Sequence, residues 1–293
     1  MSDRSPAVVA LGGGHGLATA LRAIRTYAGS ITAVASVADD GGSSGRLRRD
    51  LGVLPPGDLR RCLVALADDE TWETTFEHRF SGGELDGHAV GNLVIAGLAD
   101  TLGDFVAALD EAGRLLGAVG RVLPATTEPV VLVAETGEAH VEGQVEVENS
   151  REIQRVDLVP VDARACADAL EAIAAADQIV FAPGSLYTSL LPVVCVRELR
   201  DTIRTARAGV VQVANLCEQT PETSGLDGTD HLRAMLDHGA RVDMFLYATD
   251  GALSVDEEQV RKLEVEPVGA RLARGDGLAH DPGQLAEQLS ALL

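Results

Sequence analysis

The chain has 293 residues, 46% of them hydrophobic and 24% charged, a composition typical of a soluble globular protein. Its formal net charge of −21 argues against nucleic acid or an anionic membrane as a general partner. Aromatic residues make up only 3%, which disfavours stacking platforms for single-stranded nucleic acid, and the single lysine, Lys262, disfavours a P-loop or Schiff-base lysine.

The cysteines and the apolar segments indicate the compartment. Cys62, Cys166, Cys195 and Cys217 are scattered without a Cys-x-x-Cys pair, so we expect free thiols in a reducing environment. The first residues lack the pattern of a signal peptide, and no apolar stretch has the length needed to span a bilayer. The sequence predicts a cytoplasmic protein without membrane insertion.

The first predicted strand, Ala7 to Leu11, leads into a glycine turn and then into a helix from Leu17 to Tyr27. The turn consists of Gly12, Gly13, Gly14, His15 and Gly16. A strand, glycine turn and helix in this order are typical of nucleotide-binding α/β folds, where free N–H groups at the helix start face an anion. Leu17 stands where the dinucleotide fingerprint has its third glycine. Because Asp39 falls where a ribose-binding acid is expected, an NAD-binding protein remains an alternative.

The second predicted strand, Ile31 to Val37, ends at Asp39 and Asp40. The next residues, Gly41, Gly42, Ser43, Ser44 and Gly45, predict a loop, and several arginines follow it. Such a loop can form a nest of N–H groups for phosphate, and arginine forks match phosphate oxygens. Because neighbouring parallel strands deliver their loops to one sheet edge, we expect this loop to face the glycine turn.

A helical insertion is predicted over about residues 46–117. Within it, Asp58 and Asp104 are expected to cap helices. His88 and Asn92 begin an apolar helix after a glycine-rich loop, and this makes them site candidates. From residue 129 to about 158 the hydrophobic period changes to two, which predicts strands over 130–134, 141–147 and 153–158 in a small antiparallel excursion.

The C-terminal half returns to alternating helices and strands. A helix over 163–176 precedes a strand over 178–182, whose loop, 183–189, carries glycine and hydroxyl groups suited to a phosphate or sugar. Further strands are predicted over 210–214, ending at Asn215, and over 243–247, with a closing helix over 281–293. Since no repeats or linkers interrupt the pattern, we expect one domain over residues 1–293.

Several ordered motifs resemble one family across nearly the whole chain. They cover residues 12–17, 37–46, 55–58, 87–93 and 183–189, together with Asn215 and residues 219–223. In these motifs the chain resembles the gluconeogenesis factor (YvcK-like) family, whose distant relatives are the CofD-type 2-phospho-L-lactate transferases. The resemblance implies a Rossmann-like three-layer α/β sandwich with a mainly parallel sheet.

The resemblance also implies a function. It points to a homodimeric, cytoplasmic regulator that binds a nucleotide sugar such as UDP-N-acetylglucosamine and acts, with cell-wall regulatory proteins as partners, in cell-wall synthesis, cell shape and growth on gluconeogenic carbon sources. The alternative is a CofD-type, Mg²⁺-dependent transferase that acts on a deazaflavin. In those relatives an acidic pair binds a divalent metal at the position of Asp39 and Asp40.

The implied ligand-binding residues lie at the three strand-to-loop junctions and in the helical insertion. They are Gly12, Gly13, Gly14, His15, Gly16, Asp39, Asp40, Gly42, Ser43, Ser44, Arg46, Asp58, Arg60, His88, Asn92, Gly184, Ser185, Tyr187, Thr188 and Asn215. Arg46, and after it Arg60, is expected to pair with phosphate, and Asp39 or Asp40 to bind a ribose or Mg²⁺. No catalytic residue is assigned, because no nucleophile and base stand close together in the sequence.

Overall fold

The computed structural model describes residues 5–137 and 139–293, and its central element is a seven-stranded sheet in which every pair of neighbouring strands is parallel. The strand order is β10-β9-β8-β7-β1-β2-β3. The strands are β1 Ala7–Gly12, β2 Ser30–Ala35, β3 Arg121–Pro124, β7 Gln178–Phe181, β8 Gly209–Val213, β9 Met244–Ala248 and β10 Glu266–Ala270. The central strands are almost wholly buried, as expected where helices cover both faces of a parallel sheet.

The strand order reverses at the middle of this sheet. The chain runs outward from β1 through β2 to β3, then returns to place β7 on the other side of β1. Ala10 of β1 is in register with both Ala33 and Val180. Loops that leave β1 and β7 therefore diverge to opposite sides, and this opens a crevice at the carboxyl edge of the sheet, where ligands bind in such folds.

Thirteen labelled α-helices connect the strands in the described part of the chain. They are α1 Gly14–Ile24, α2 Gly42–Leu51, α3 Gly57–Leu66, α4 Glu70–Glu77, α5 Val90–Leu102, α6 Phe105–Leu116, α7 Gln144–Glu148, α8 Ala167–Ala174, α9 Leu191–Cys195, α10 Arg197–Thr205, α11 Gly228–Asp237, α12 Glu257–Lys262 and α13 Pro282–Ala291, with a π-helical turn over Leu186–Leu190 before α9. Helix α1 packs against α3 and α13, whereas α8 packs against α10. The predicted α/β class with a helical insertion is confirmed.

A second sheet holds the strands β4 Val131–Thr136, β5 His140–Glu142 and β6 Ile153–Val159 in the antiparallel order β5-β4-β6. The predicted excursion is thus present, but the strand predicted over 141–147 is wrong after Glu142. Gly143 has a φ of 98°, which ends the strand, and α7 follows it. The Asp40 carboxylate accepts the N–H groups of Gln144 and Val145 at 3.1 and 3.0 Å, which stabilises the start of this helix.

The loop predicted after Asp40 is wrong as well. Its residues from Gly42 onward form the first turn of α2, in which Gly45 N donates to Gly41 O at 2.8 Å. A Cβ at Gly45 would lie 1.8 Å from the carbonyl oxygen of Asp40, so the glycine is required by close packing and does not mark a flexible loop.

Two smaller predictions concern helix caps, and one edge strand was missed. Asp104 caps α6 as predicted, since its side chain accepts Ala107 N. Asp58 does not cap α3; it lies in the first turn, after Pro56 at the cap position. The four-residue edge strand β3 was not predicted.

The state of the cysteines and the lengths of the apolar helices can be compared with the expectations from the sequence. Cys62, Cys166 and Cys195 are buried and Cys217 is exposed, and all four are free. Among the described helices, none combines the length and the apolar character that crossing a bilayer requires.

Candidate functional site

A cavity of about 660 Å³ opens at the carboxyl edge of the large sheet, in the crevice between the β1 and β7 loops. Its volume lies in the range of small-molecule sites, about 300–1,000 Å³. Of the predicted residues it is lined by Gly13, Gly14, His15, Gly16, Asp39, Gly42, Ser43, Ser44, Asp58, Asn92, Gly184, Ser185 and Thr188. The structure therefore brings all three predicted strand-to-loop junctions together.

The glycine turn after β1 allows close approach of backbone to backbone. A Cβ at Gly16 would lie 1.8 Å from Pro183 O, and one at Gly13 would lie 2.4 Å from the Asp58 carboxylate. The turn is thus pressed between the β7 loop and the start of α3, with its N–H groups at the start of α1. Gly12 lies behind the turn and is not part of the cavity wall.

His15 stands at the mouth of this turn with its side chain exposed. Although the residue is largely exposed, partial desolvation of the ring lowers the pKa of His15. The positive charge of Arg61 is the second cause and lowers this pKa further. A neutral imidazole there can donate or accept a hydrogen bond at physiological pH.

Asp39 and Asp58 are the predicted carboxylates that face the cavity. Asp39 Oδ1 accepts Gly41 N at 2.9 Å. Burial, reinforced by the negative charge of Asp58, raises the pKa of Asp39 against the effect of these hydrogen bonds. These two carboxylates can accept hydrogen bonds from ligand hydroxyl groups. Their negative charge repels a polyanionic ligand that binds without a cation.

The guanidiniums on the cavity wall are those of Arg61 and Arg79. Arg61 Nη1 lies 2.6 Å from Asp58 Oδ1, and Arg79 Nη1 donates to Gly87 O at 2.9 Å. Each retains further N–H donors that a ligand phosphate can use.

Arg46 and Arg60, which were expected to pair with phosphate, lie outside this wall. Arg46 Nη2 donates to Asp86 O at 2.6 Å. Arg60 is only 1% exposed, and its Nη1 lies 2.5 Å from Glu77 Oε1. Successive helix residues point about 100° apart, so Arg61 faces the cavity because Arg60 faces the core.

A buried polar network links Ser43, His88, Asn92 and Arg60. Ser43 Oγ lies 3.0 Å from His88 Nδ1, and Asn92 Nδ2 donates to the same oxygen at 3.0 Å. Arg60 Nε donates to Asn92 Oδ1 at 3.1 Å. Ser43 and Asn92 form part of the cavity wall, whereas His88 stands behind them.

The β7 loop is held by a residue that was not among the predicted site residues, the buried Glu222. Its carboxylate oxygens lie 2.5 and 2.6 Å from Ser185 Oγ, and it accepts Tyr187 N at 2.7 Å. Burial raises the pKa of Glu222, although these hydrogen bonds favour the charged form. The Tyr187 side chain is buried and does not reach the cavity.

Asn215 fixes the same loop from the end of β8. Its Oδ1 accepts Gly184 N at 2.8 Å, and its Nδ2 donates to Gly184 O at 2.8 Å and to Gln219 Oε1 at 3.0 Å. Asn215 faces a smaller neighbouring cavity of about 200 Å³, which shares His15, Gly16, Gly184 and Gln219 with the larger one.

Asp39 and Asp40, the acidic pair predicted as metal ligands, do not face the cavity together. Asp39 lines the cavity, whereas the Asp40 carboxylate caps α7. Within residues 5–137 and 139–293, no group of three or more His, Cys, Asp or Glu side chains could hold a metal ion. Mg²⁺ can be held by one or two carboxylates together with phosphate oxygens and water. Asp39 and Asp58 fit that limited role.

Residues of helix α7, which lies between β5 and β6, complete the wall and were not among the predicted site residues. They are Gln144, Val145 and Glu148. Their own sequence offered no sign of this, because the contact depends on how the second sheet docks. For Arg61 and Arg79 the signal was present, since both belong to the arginine-rich insertion.

The chain is similar to one protein family and to relatives from several bacteria. The family model described as 2-phospho-L-lactate transferase CofD matches residues 8–284. A gluconeogenesis factor of Halalkalibacterium halodurans is 39% identical in an alignment that covers 96% of this chain and 95% of that protein. A putative gluconeogenesis factor of Mycobacterium leprae is 43% identical in an alignment that covers 98% of this chain and 86% of that protein.

A solved structure agrees with these sequence matches. The crystal structure of a member of the UPF0052 family from Bacillus halodurans superposes with a TM-score of 0.94 at 36% identity. The superposition covers 98% of this chain and 99% of that one.

Proposed function

The chain belongs to the gluconeogenesis factor family and has a CofD-like fold, and on this basis we propose that it binds a nucleotide sugar such as UDP-N-acetylglucosamine. In this proposal it is a cytoplasmic regulator of cell-wall synthesis, cell shape and growth on gluconeogenic carbon sources. The observation that carries the proposal is one cavity that combines a glycine turn, a helix start and the guanidiniums of Arg61 and Arg79. These groups suit a diphosphate.

The remaining wall suits the sugar and the ribose. Asp39 and Glu148 offer carboxylate oxygens, and Asn92 and Gln144 offer amides, all of which hydrogen-bond to hydroxyl groups. The cavity of about 660 Å³ is large enough for an extended ligand of this class. Mg²⁺ bound with the diphosphate would offset the negative charge of the carboxylates. A homodimer and contacts with cell-wall regulatory proteins belong to the same proposal.

Calorimetric titration tests the proposal. Purified protein is titrated with UDP-N-acetylglucosamine, UDP, GDP and adenine nucleotides, each with and without Mg²⁺, and its mass is measured by light scattering. We expect one ligand per chain and the highest affinity for the UDP-sugar. Binding of adenine nucleotides in preference to uridine nucleotides, or no binding at all, would contradict it.

A second candidate is a CofD-type transferase. It is favoured by the match to the CofD model over residues 8–284 and by the two carboxylates, Asp39 and Asp58, that face the cavity. Such an enzyme would transfer a phospholactyl-type group from a nucleotide donor to a deazaflavin in the presence of Mg²⁺. Product formation with that acceptor, followed by mass spectrometry, would favour the transferase over the regulator.

A further inference from the structure

Ser43 and His88 form a pair to which neither of these functions gives a chemical role. Ser43 Oγ lies 3.0 Å from His88 Nδ1, and the serine is on the cavity wall. A hydroxyl within hydrogen-bond reach of an imidazole is the arrangement of an activated nucleophile. We propose that Ser43 is a nucleophile activated by His88 that attacks an electrophilic phosphorus atom of a ligand in the cavity. The proposal goes beyond nucleotide-sugar binding, because it gives the cavity a reactive group.

The direction of the hydrogen bonds supports this role. Arg60 can only donate, so its Nε–H identifies the Asn92 side-chain atom that it contacts as the oxygen. Asn92 Nδ2 must therefore donate to Ser43 Oγ. Since that bond occupies a lone pair of the serine oxygen, the hydroxyl proton is left free to point at His88 Nδ1, which accepts it when the ring carries its proton on Nε2.

The surroundings of His88 keep the ring neutral and fixed. Burial lowers the pKa of His88, and the positive charge of Arg46 lowers it further, while the negative charge of Asp50 acts in the opposite direction. The backbone is held on both sides, because His88 N donates to Leu85 O at 2.9 Å and Phe80 N donates to His88 O at 3.0 Å. A neutral, immobile imidazole is ready to accept a proton at physiological pH.

The position of Ser43 in the chain supports attack on phosphorus. Ser43 is the second residue of α2, a helix of ten residues, so the N–H groups of Gly42, Ser43 and Ser44 have no intrahelical acceptor. Together with Arg61 and Arg79 on the same wall, they can stabilise the negative charge that develops on phosphoryl oxygens.

The proposed step is balanced without an added reagent. Ser43 Oγ forms a bond to phosphorus while the bond from phosphorus to the bridging anhydride oxygen breaks, and the hydroxyl proton passes to His88 Nδ1. His88 gives this proton to the bridging oxygen, and the leaving group departs as a phosphate monoester. Water then attacks the phosphorus of the phosphodiester on Ser43 and gives a proton to His88, which passes it to Oγ as the Oγ–P bond breaks and the serine is restored.

A fluorophosphonate probe tests the nucleophile directly. The probe phosphonylates activated serines with loss of fluoride, and it requires no knowledge of the natural ligand. We expect one adduct per chain, located on Ser43 by peptide mass spectrometry and absent in Ser43→Ala. Ser290→Ala removes a hydroxyl of α13 that lies off the cavity wall and should label like the parent protein. Because general-base catalysis typically contributes about 10²–10⁴-fold, His88→Gln should slow the labelling by that factor.

The pH profile separates activation from simple exposure. Labelling should be lost as the pH falls through the pKa of His88, which lies below 6.5, and this dependence should vanish in His88→Gln. No adduct on the folded parent protein, an adduct on another serine, or the same rate in His88→Gln with an unchanged circular dichroism spectrum would overturn the proposal.

This outcome is independent of the proposed function. Ser43→Ala is also titrated with UDP-N-acetylglucosamine. Binding of the nucleotide sugar without labelling of the parent protein contradicts only the nucleophile. Labelling of Ser43 in a protein that binds no nucleotide sugar contradicts only the regulator.

Discussion

Both carboxylate oxygens of Glu222 contact the hydroxyl of Ser185, at 2.5 and 2.6 Å, across a separation of 37 residues in the sequence. The contact ties the segment after β8 to the loop after β7, which forms one side of the cavity. The same carboxylate accepts the N–H groups of Tyr187 and Thr188. Glu222 thus holds the shape of a loop without reaching the ligand cavity itself.

We expect Glu222→Ala to destabilise the protein and to weaken ligand binding together. A buried donor left without an acceptor costs about 1–3 kcal/mol. Tyr187 N loses the acceptor shown for it, whereas the Ser185 hydroxyl keeps only its contact with Thr188 Oγ1. Glu222→Gln keeps one acceptor oxygen and should lose clearly less. Urea denaturation and calorimetry on both variants check this, and an alanine variant as stable as the parent would contradict it.

The neighbouring residues Arg60 and Arg61 should separate stability from binding. Arg61→Ala removes a charge-assisted contact on the cavity wall, usually worth about 1.5–3 kcal/mol, so affinity for UDP-N-acetylglucosamine should fall about ten- to a hundredfold. Arg60→Ala leaves the buried Asn92 oxygen without its donor and should lower the free energy of unfolding by about 1–3 kcal/mol. Arg46→Ala, which lies off the wall, serves as the surface control. Equal loss of affinity in Arg46→Ala and Arg61→Ala would show that the cavity is not the binding site.

Asp39 should make the empty protein less stable as the pH rises. Its folded-state pKa is raised above the unfolded value of 3.8, so the folded protein holds the proton more tightly. The free energy of unfolding therefore decreases as the pH rises from 3.8 through the folded-state pKa. Asp39→Asn has no carboxylate to ionise in the buried site, so its free energy of unfolding at pH 7 should exceed that of the parent. This difference in the free energy of unfolding should be smaller at pH 5.

Asp40→Asn is the matched control for that measurement. Its carboxylate caps α7, so the substitution should instead lower the free energy of unfolding at pH 7, by about 0.5–2 kcal/mol. Denaturation curves of both variants at the two pH values decide between these signs. A loss of stability in Asp39→Asn at pH 7 would show that its hydrogen bonds outweigh its burial.

Two helical glycines should respond to alanine in opposite ways. At Gly16 the new Cβ would meet Pro183 O at 1.8 Å, so Gly16→Ala must push the β7 loop away from the glycine turn. Overpacking of this kind costs about 1–3 kcal/mol, and here ligand affinity should fall with stability. At Gly97 in α5 nothing lies within 4 Å of the added atom. Gly97→Ala should stabilise the protein by about 0.8–1.0 kcal/mol, as measured by thermal denaturation.

The fold could be predicted from the sequence where a strand is buried on both faces. Continuous apolar runs marked β1, β2, β7 and β8, and the glycine or polar residue after each run marked the carboxyl edge. The edge strand β3 has four residues and follows a long helical insertion, so local pattern gave too little signal.

The site was predictable as a set of loops but not as a set of side-chain directions. An arginine-rich helix predicts a cationic surface. The inward direction of the Arg60 side chain depends on its contacts with Glu77 and Asn92, which the local sequence does not show. The same holds for α7, because its alternating sequence predicts a strand. The helix is stabilised by Asp40, about a hundred residues earlier in the chain, which accepts N–H groups at its start. Contacts over such distances leave no trace in a local window.

The placement of β7 beside β1 has a consequence for biosynthesis. The side chain of Asp177 accepts Ala7 N at 2.8 Å across 170 residues, so this junction cannot form until both segments have left the ribosome. At 5–20 residues per second, that takes roughly ten to thirty seconds after β1 emerges. During this time the N–H and C=O groups on this edge of β1 are unpaired and open to wrong partners. The cavity between the β1 and β7 loops is therefore complete only in chains whose synthesis has passed β7.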